Sequence, residues 1–151
     1  MANNIFLGLG SNKGDRLAFI QKAVKKINED PSCRVLKCSS IYETTPFGNV
    51  DQPDFLNAVI EIDSDYSTHE LLKFIKDLEI KIGRAGGNEK WGQREIDIDI
   101  IFYNDVIYTG DNMLIPHPEC SGRDFVMIPL LEIAPNFIHP GLKKKINEFD
   151  L

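Results

Sequence analysis

Apolar and acidic residues alternate strictly near the middle of the chain, in the run Trp91-Gly92-Gln93-Arg94-Glu95-Ile96-Asp97-Ile98-Asp99-Ile100. Period two is the signature of a β-strand, so Ile96, Ile98 and Ile100 are expected to enter a core while Glu95, Asp97 and Asp99 share the opposite face. Other segments change rhythm. Ile5 to Leu9 reads as a short buried strand ending at Gly8 and Gly10. From Asp15 to Asn28 the apolar positions Leu17, Ile20, Val24 and Ile27 recur at helical spacing, with Asp15 as N-cap. Pro31 separates that helix from a strand over Arg34 to Tyr42, and a Pro- and Gly-containing loop, Thr45 to Pro53, leads into a strand from Phe55 to Ile62. Ser67 with Glu70 three residues on forms a capping box for a helix carrying Leu71, Leu72, Ile75, Leu78 and Ile82, which Gly83 ends. After the acidic strand come a hairpin at Asn104-Asp105 and a Pro-rich carboxy-terminal third.

The core order is strand, helix, strand, strand, helix, strand, which predicts an α+β fold with a ferredoxin-like βαββαβ core. Its sheet is expected to be mainly antiparallel with both helices on one face, leaving the other to loops or a ligand, with extra carboxy-terminal elements added to this core. At 151 residues, a single domain over 1–151 is the default. The 42% hydrophobic and 26% charged content is that of an ordinary soluble globular protein, and with neither a membrane-length apolar run nor a signal-type amino terminus a cytoplasmic location is expected. A net charge of −6 argues against general binding to nucleic acid or anionic membrane, so an anionic substrate would need a local cluster of Arg and Lys.

Three cysteines, with Cys33 and Cys38 on opposite faces of a continuous strand, suggest neither a disulfide framework nor a zinc site. His69-Glu70 begins like a zinc-protease helix motif, but Lys73 stands where the second His is required. Gly8-Leu9-Gly10-Ser11-Asn12-Lys13-Gly14 fits neither the dinucleotide fingerprint nor the P-loop, and a tight turn into the helix is the favoured reading. Asp97 and Asp99 hold more interest. Two carboxylates at i and i+2 on one strand face can reach one hard cation or a close pair, and Mg²⁺ is commonly held by carboxylates together with substrate phosphates. A solvated strand face is the alternative, although like charges at that spacing repel and have low β propensity.

Several segments, in order along nearly the whole chain, resemble 6-hydroxymethyl-7,8-dihydropterin pyrophosphokinase. They are Gly8 to Asn12, Tyr42-Glu43-Thr44, Asp51-Gln52-Pro53-Asp54-Phe55-Leu56-Asn57-Ala58, Gly83-Arg84, Trp91 to Asp99, Pro116-His117-Pro118 and Arg123-Asp124-Phe125. The resemblance implies transfer of the β,γ-diphosphate of ATP to the hydroxymethyl group of a dihydropterin, with release of AMP, in folate biosynthesis. It implies two Mg²⁺ ions on Asp97 and Asp99, with Arg84 and Arg94 binding the triphosphate and stabilising charge during transfer. Phe55 and Phe125 match the two aromatic walls of the pterin slot, although either residue by itself reads more readily as core. Asn57 matches the residue that pairs with the pterin edge, with Thr44, Pro46 and Phe47 beside it. Glu79, Trp91, Ile100, His117 and Arg123 match nucleotide-contacting positions. For Glu79 a solvated helix charge is the competing reading, for His117 a turn residue, and for Trp91 a core anchor. Gly86-Gly87 would make the Trp91 loop a lid that excludes water.

The chain departs from the family pattern at four places. Gly86 and Gly87 stand where a further Arg is frequent, placing more of the phosphate load on Arg84. Gln93 replaces a common Pro, loosening the lid hinge. Phe55 replaces a Tyr, and Pro118 replaces an aromatic. Two other classes stay open on the residues: a different two-metal enzyme such as a phosphohydrolase, which would need more acidic or His ligands, and a non-catalytic ferredoxin-like module. Association with neighbouring folate-pathway enzymes is a further expectation, since family relatives are sometimes fused to them.

Overall fold

The computed structural model describes residues 4–44, 54–83, 95–110, 112–118 and 124–149, the side chains of 124 and 125 excepted. Its elements follow in the order β1 (Ile5–Ser11), α1 (Arg16–Glu29), β2 (Cys33–Cys38), β3 (Tyr42–Thr44), β4 (Phe55–Ser64), α2 (Thr68–Ile82), β5 (Asp97–Tyr103), β6 (Tyr108–Thr109), β7 (Leu114–Ile115) and α3 (Asp124–Ile133), with a 3-10 turn at Ile146–Glu148. The main sheet runs β2-β4-β1-β5, with β3 also on β4, and every pairing is antiparallel. β4 therefore lies between β1 and β2, the split arrangement of a ferredoxin-like α+β fold.

Both helices form where the sequence punctuates them. The Asp15 carboxylate accepts the Ala18 N–H at 3.2 Å and caps α1. Ser67 and Glu70 bond reciprocally at the start of α2, and each such cap stabilises a helix by about 1 kcal/mol. Ile20, Ala23 and Ile27 of α1 and Leu71, Ile75, Leu78 and Ile82 of α2 pack one face of the sheet against Ile5, Leu7, Leu9, Ile60, Ile62, Ile98 and Ile100. Leu17, expected on the apolar side of α1, is exposed instead.

Three expectations need correction. The strand expected over Arg34 to Tyr42 is two strands, because the chain leaves the ladder between them. Ser39 bridges the break, its N–H donating to Val59 O and its Oγ accepting the Val59 N–H, both at 2.9 Å. The hairpin expected at Asn104-Asp105 is a turn with Asn104 at φ 52, but the strand beyond it, β6, pairs with β7 and not with β5. The sheet's second face is covered partly by a helix. Val126, Met127, Leu130 and Ile133 of α3, which contains Pro129, pack with Phe6, Val59, Ile101 and Phe102 into a second core. Glu132 ties α3 to the β2–β3 break, accepting bonds from Ser40 N, Ser40 Oγ and Tyr42 Oη at 2.7 to 2.8 Å.

A β-bulge lets β5 serve both cores. Leu7 pairs with Ile100 but Phe6 pairs with Phe102, leaving Ile101 as the extra residue. Ile101 and Phe102 consequently both face the second core, while Ile98 and Ile100 face the first. Among the described residues no helix is long and apolar enough to cross a membrane.

Candidate active site

Where α3 does not cover the sheet, cross-strand register assembles a cleft from three strands. Gly10 is opposite Asp97 on one side and Asn57 on the other, and Gly8 is likewise flanked by Asp99 and Val59. Paired residues share a face, so the two aspartates, the two glycines and Asn57 look into the same space. The correction to the glycine segment follows directly. Gly8 and Gly10 lie inside β1 rather than in a turn, and only Gly14, at φ 71, serves the turn into α1. A Cβ on Gly10 would meet Asn57 Oδ1 at 3.2 Å, and one on Gly8 would meet Ile101 Cδ1 at 3.1 Å. The glycines thus form an open floor, and the cavity above them measures about 220 Å³.

One rim of this cleft carries Phe55 and Thr44, which are cross-strand partners, and the other carries Asp97, Asp99 and His117. Asn57 is buried, and its Nδ2 donates to Thr44 Oγ1 at 2.6 Å, which orients the carboxamide toward the cleft floor. His117 follows a cis Ile115–Pro116 bond and is held by its N–H, which donates to Ile101 O at 3.0 Å. Its Nε2 lies 3.9 Å from Asp99 Oδ2.

A second cleft of about 350 Å³ opens on the other side of β5, lined by Leu72, Lys76, Ile100, Met113, Leu114 and Pro118 among others. It shares Asp99 and His117 with the first. Two adjacent binding spaces with the Asp99 carboxylate at their junction suit a reaction between two substrates.

Among the described residues β5 is the edge strand on this side, so its outward-facing backbone groups have no ladder partner there. α2 supplies partners at Ile98, the residue between the two aspartates. Glu79 Oε2 accepts the Ile98 N–H at 2.6 Å, and Lys76 Nζ donates to Ile98 O at 3.0 Å. Lys76 also lies 3.3 Å from Glu79 Oε2 and 3.9 Å from Asp99 Oδ1. Glu79 is 0% exposed, which overturns the solvated-charge reading. Burial pushes its carboxyl upward and the nearby Asp97 adds to this, while Lys76 and the Ile98 N–H oppose.

Among the residues proposed from sequence, Asp97, Asp99, Thr44, Phe55, Asn57 and His117 come together around the first cleft, and Ile100 and His117 line the second. Glu95 does not join the acidic pair; it lies before the strand, 3.6 Å from Lys13. Pro46, Phe47, Arg84, Gly86, Gly87, Trp91, Gln93, Arg94 and Arg123 lie outside the described residues, as does the Phe125 side chain. The sequence reading missed Lys76 and Leu72 in the second cleft. Their signal was present only as an amphipathic helix, since Lys76 looks like any exposed i, i+3 partner of Glu79.

The donor set fits a hard divalent cation. Asp97 and Asp99 share one strand face with bare glycine positions beside them, a pair of carboxylates of the kind that holds a hard cation together with phosphate oxygens, and among the described residues no group of three or more His, Cys, Asp or Glu gathers.

A family model described as 7,8-dihydro-6-hydroxymethylpterin-pyrophosphokinase (HPPK) matches residues 6–135. The Aquifex aeolicus (strain VF5) protein named 2-amino-4-hydroxy-6-hydroxymethyldihydropteridine pyrophosphokinase is 43% identical over 145 residues, 96% of this chain and 89% of that one. The Dictyostelium discoideum folic acid synthesis protein FOL1 is 41% identical over 149 residues, covering 99% of this chain but 22% of that longer protein. The crystal structure of Plasmodium falciparum HPPK-DHPS with pteroate has a TM-score of 0.78 at 16% identity, over 97% of this chain and 43% of that one, a likeness of fold. A family model spanning most of the chain and a relative matched along nearly its whole length place it together: the chain belongs to the 7,8-dihydro-6-hydroxymethylpterin-pyrophosphokinase family.

Proposed function

We propose that the two clefts are the pterin and nucleotide sites of one Mg²⁺-dependent diphosphate transfer, with Asp99 at their junction and Asp97 beside it in the first cleft. The chain is a pyrophosphokinase of folate biosynthesis acting on 6-hydroxymethyl-7,8-dihydropterin, with ATP as co-substrate. The observation that carries the finer assignment is that both clefts share Asp99 and His117. The pterin ring stacks on Phe55, while Asn57 offers an amide donor and acceptor to its edge and Gly8 and Gly10 let it approach the sheet. The nucleotide occupies the cleft lined by Leu72, Ile100 and His117.

In the transfer, the hydroxymethyl oxygen attacks the β-phosphorus in line. The bond from that phosphorus to the bridging oxygen breaks, AMP leaves with the oxygen, and the hydroxyl proton passes to solvent water. Two Mg²⁺ ions held by Asp97 and Asp99 would supply charge neutralisation across the phosphates and polarise the attacking hydroxyl. Lys76 and Glu79 keep the strand bearing those carboxylates in place. On the strength of the family pattern in the sequence, Arg84, Arg94 and Arg123 are assigned to the phosphates, Trp91 to the nucleotide, and Pro46, Phe47 and Phe125 to the pterin. We assign all of this to one domain over residues 1–151, acting in the cytoplasm and associating with neighbouring folate enzymes. The longer Dictyostelium discoideum folic acid synthesis protein, of which this chain covers 22%, supports such association.

Incubation with ATP, Mg²⁺ and 6-hydroxymethyl-7,8-dihydropterin, followed by chromatography of the nucleotide, tests the reading. Pterin-dependent AMP is expected, and ADP would replace diphosphate transfer with single phosphoryl transfer. In Asp97→Asn, Mg²⁺-dependent ATP binding should be lost; its retention would remove the metal role from Asp97.

A further inference from the structure

Thr44 and Phe55 face each other across the β3–β4 ladder and form one rim of the first cleft. The residues immediately before them in the chain, Glu43 and Asp54, meet at a single nitrogen. Arg16 Nη1 donates to Glu43 Oε2 at 2.8 Å and to the backbone carbonyl of Asp54 at 2.8 Å. Arg16 is the first residue of α1, directly after the turn at Gly14 and the cap at Asp15, and α1 is anchored by Ile20, Ala23 and Ile27. A rigid helix therefore holds both strands at the point where they enter the rim.

An exposed ion pair to Glu43 alone would do little. The Asp54 carbonyl changes that, because the two N–H groups of Nη1 are fixed in the plane of the guanidinium fork and join two acceptors at a set separation. β3 is only three residues long, and short terminal ladders open readily. Movement of β3 would also shift Thr44, whose hydroxyl orients Asn57.

We propose that Arg16 is a positioning residue for the ring-binding half of the cleft, holding β3 against the start of β4 so that Thr44, Phe55 and Asn57 keep the spacing a flat heterocycle requires. The proposal rests on the reading that Phe55 and Asn57 hold the pterin. Each residue of the Gly14-Asp15-Arg16 segment then has a part in the site, since the glycine makes the turn, the aspartate caps the helix and the arginine reaches the rim.

The test uses the full chain with Arg16→Ala, Arg16→Lys and Asn57→Ala. Calorimetry gives the Kd of 6-hydroxymethyl-7,8-dihydropterin in the presence of Mg²⁺ and a non-hydrolysable ATP analogue, and separately the Kd of the analogue. Thermal midpoints are recorded alongside. Arg16→Ala should weaken pterin binding about tenfold with analogue binding within about twofold of wild type and an unchanged midpoint. Arg16→Lys, which keeps the charge without the fork, should recover only part of the loss. Wild-type pterin affinity in Arg16→Ala, with Asn57→Ala weakened, overturns the role of Arg16 and leaves the ring site standing. Wild-type affinity in Asn57→Ala overturns the ring site itself and the proposal with it. Equal weakening of both ligands with a lowered midpoint also overturns it, since that is the signature of general destabilisation.

Discussion

Two glycines in the middle of a central strand are a local cost, since Gly is less favourable than Ala there by roughly 0.5–1 kcal/mol. At Gly8 and Gly10 that cost leaves bare backbone between Asp97 and Asp99 on one side and Asn57 and Val59 on the other. A methyl group at Gly10 would sit 3.2 Å from Asn57 Oδ1 and 3.6 Å from Phe55 Cδ1, touching both expected ring contacts and no hydrophobic core. Gly10→Ala should therefore push the Asn57 carboxamide aside by a few tenths of an ångström, raise the pterin KM about tenfold and leave the ATP KM little altered, the fold being retained. Steady-state kinetics with each substrate varied, beside a thermal melt, would check both halves of that expectation. The sequence showed these glycines but not their role, because their meaning depends on which residues the neighbouring strands place opposite them.

At the scale of elements, β5 illustrates how an edge strand becomes a precise platform. Period-two alternation made the strand legible, together with the inward course of Ile96, Ile98 and Ile100. The bulge at Ile101 was not legible, since nothing in the run of apolar residues after Ile100 marks the point where the pairing slips. Nor was the clamp at Ile98, where the Glu79 carboxylate and the Lys76 ammonium stand in for a missing neighbouring strand. Glu79→Ala leaves the Ile98 N–H without its acceptor and Lys76 without its closest anion, and should destabilise the fold by about 2 kcal/mol in urea denaturation. Glu79→Gln keeps an acceptor and should cost less. Equal stability of the two variants would show that the charge, and not the hydrogen bond, is what matters. Because β5 carries Asp97 and Asp99, both variants should also weaken Mg²⁺-dependent ATP binding.

At the scale of the molecule, the sheet divides two cores, and the second is closed by the carboxy-terminal third. His139 is buried there against the edge of Phe102, with ring centroids 5.3 Å apart, and its Nδ1 accepts the Gly141 and Leu142 N–H groups at 3.1 and 3.0 Å. Burial lowers its pKa from the usual value near 6.5, and a ring bond to its own backbone only partly opposes this. The unfolded chain then takes up the proton before the folded one does. Stability from this residue is complete above about pH 6.5 and falls away as pH drops toward the lowered folded value. Denaturation measured from pH 7.5 to 5 should show a decline that is shallower in His139→Gln, which cannot titrate; parallel curves would remove His139 from the account.

What the sequence determined by itself was whatever depends on near neighbours in the chain: the caps at Asp15 and Ser67, the helical faces, the alternation of β5 and the pairing of Asp97 with Asp99 on one side of it. The order of elements, a consequence of those local patterns, was enough to anticipate a ferredoxin-like sheet with two helices on one face. The tertiary structure alone decided matters of register and contact between distant segments. It split the strand expected over Arg34 to Tyr42 at Ser39, buried Glu79 beneath an edge strand, turned Gly8 and Gly10 into a floor, and brought Arg16 to the stems of β3 and β4. Periodicity records which way a side chain points along its own element; what it meets is set by the pairing of strands and the packing of helices, which no local pattern contains.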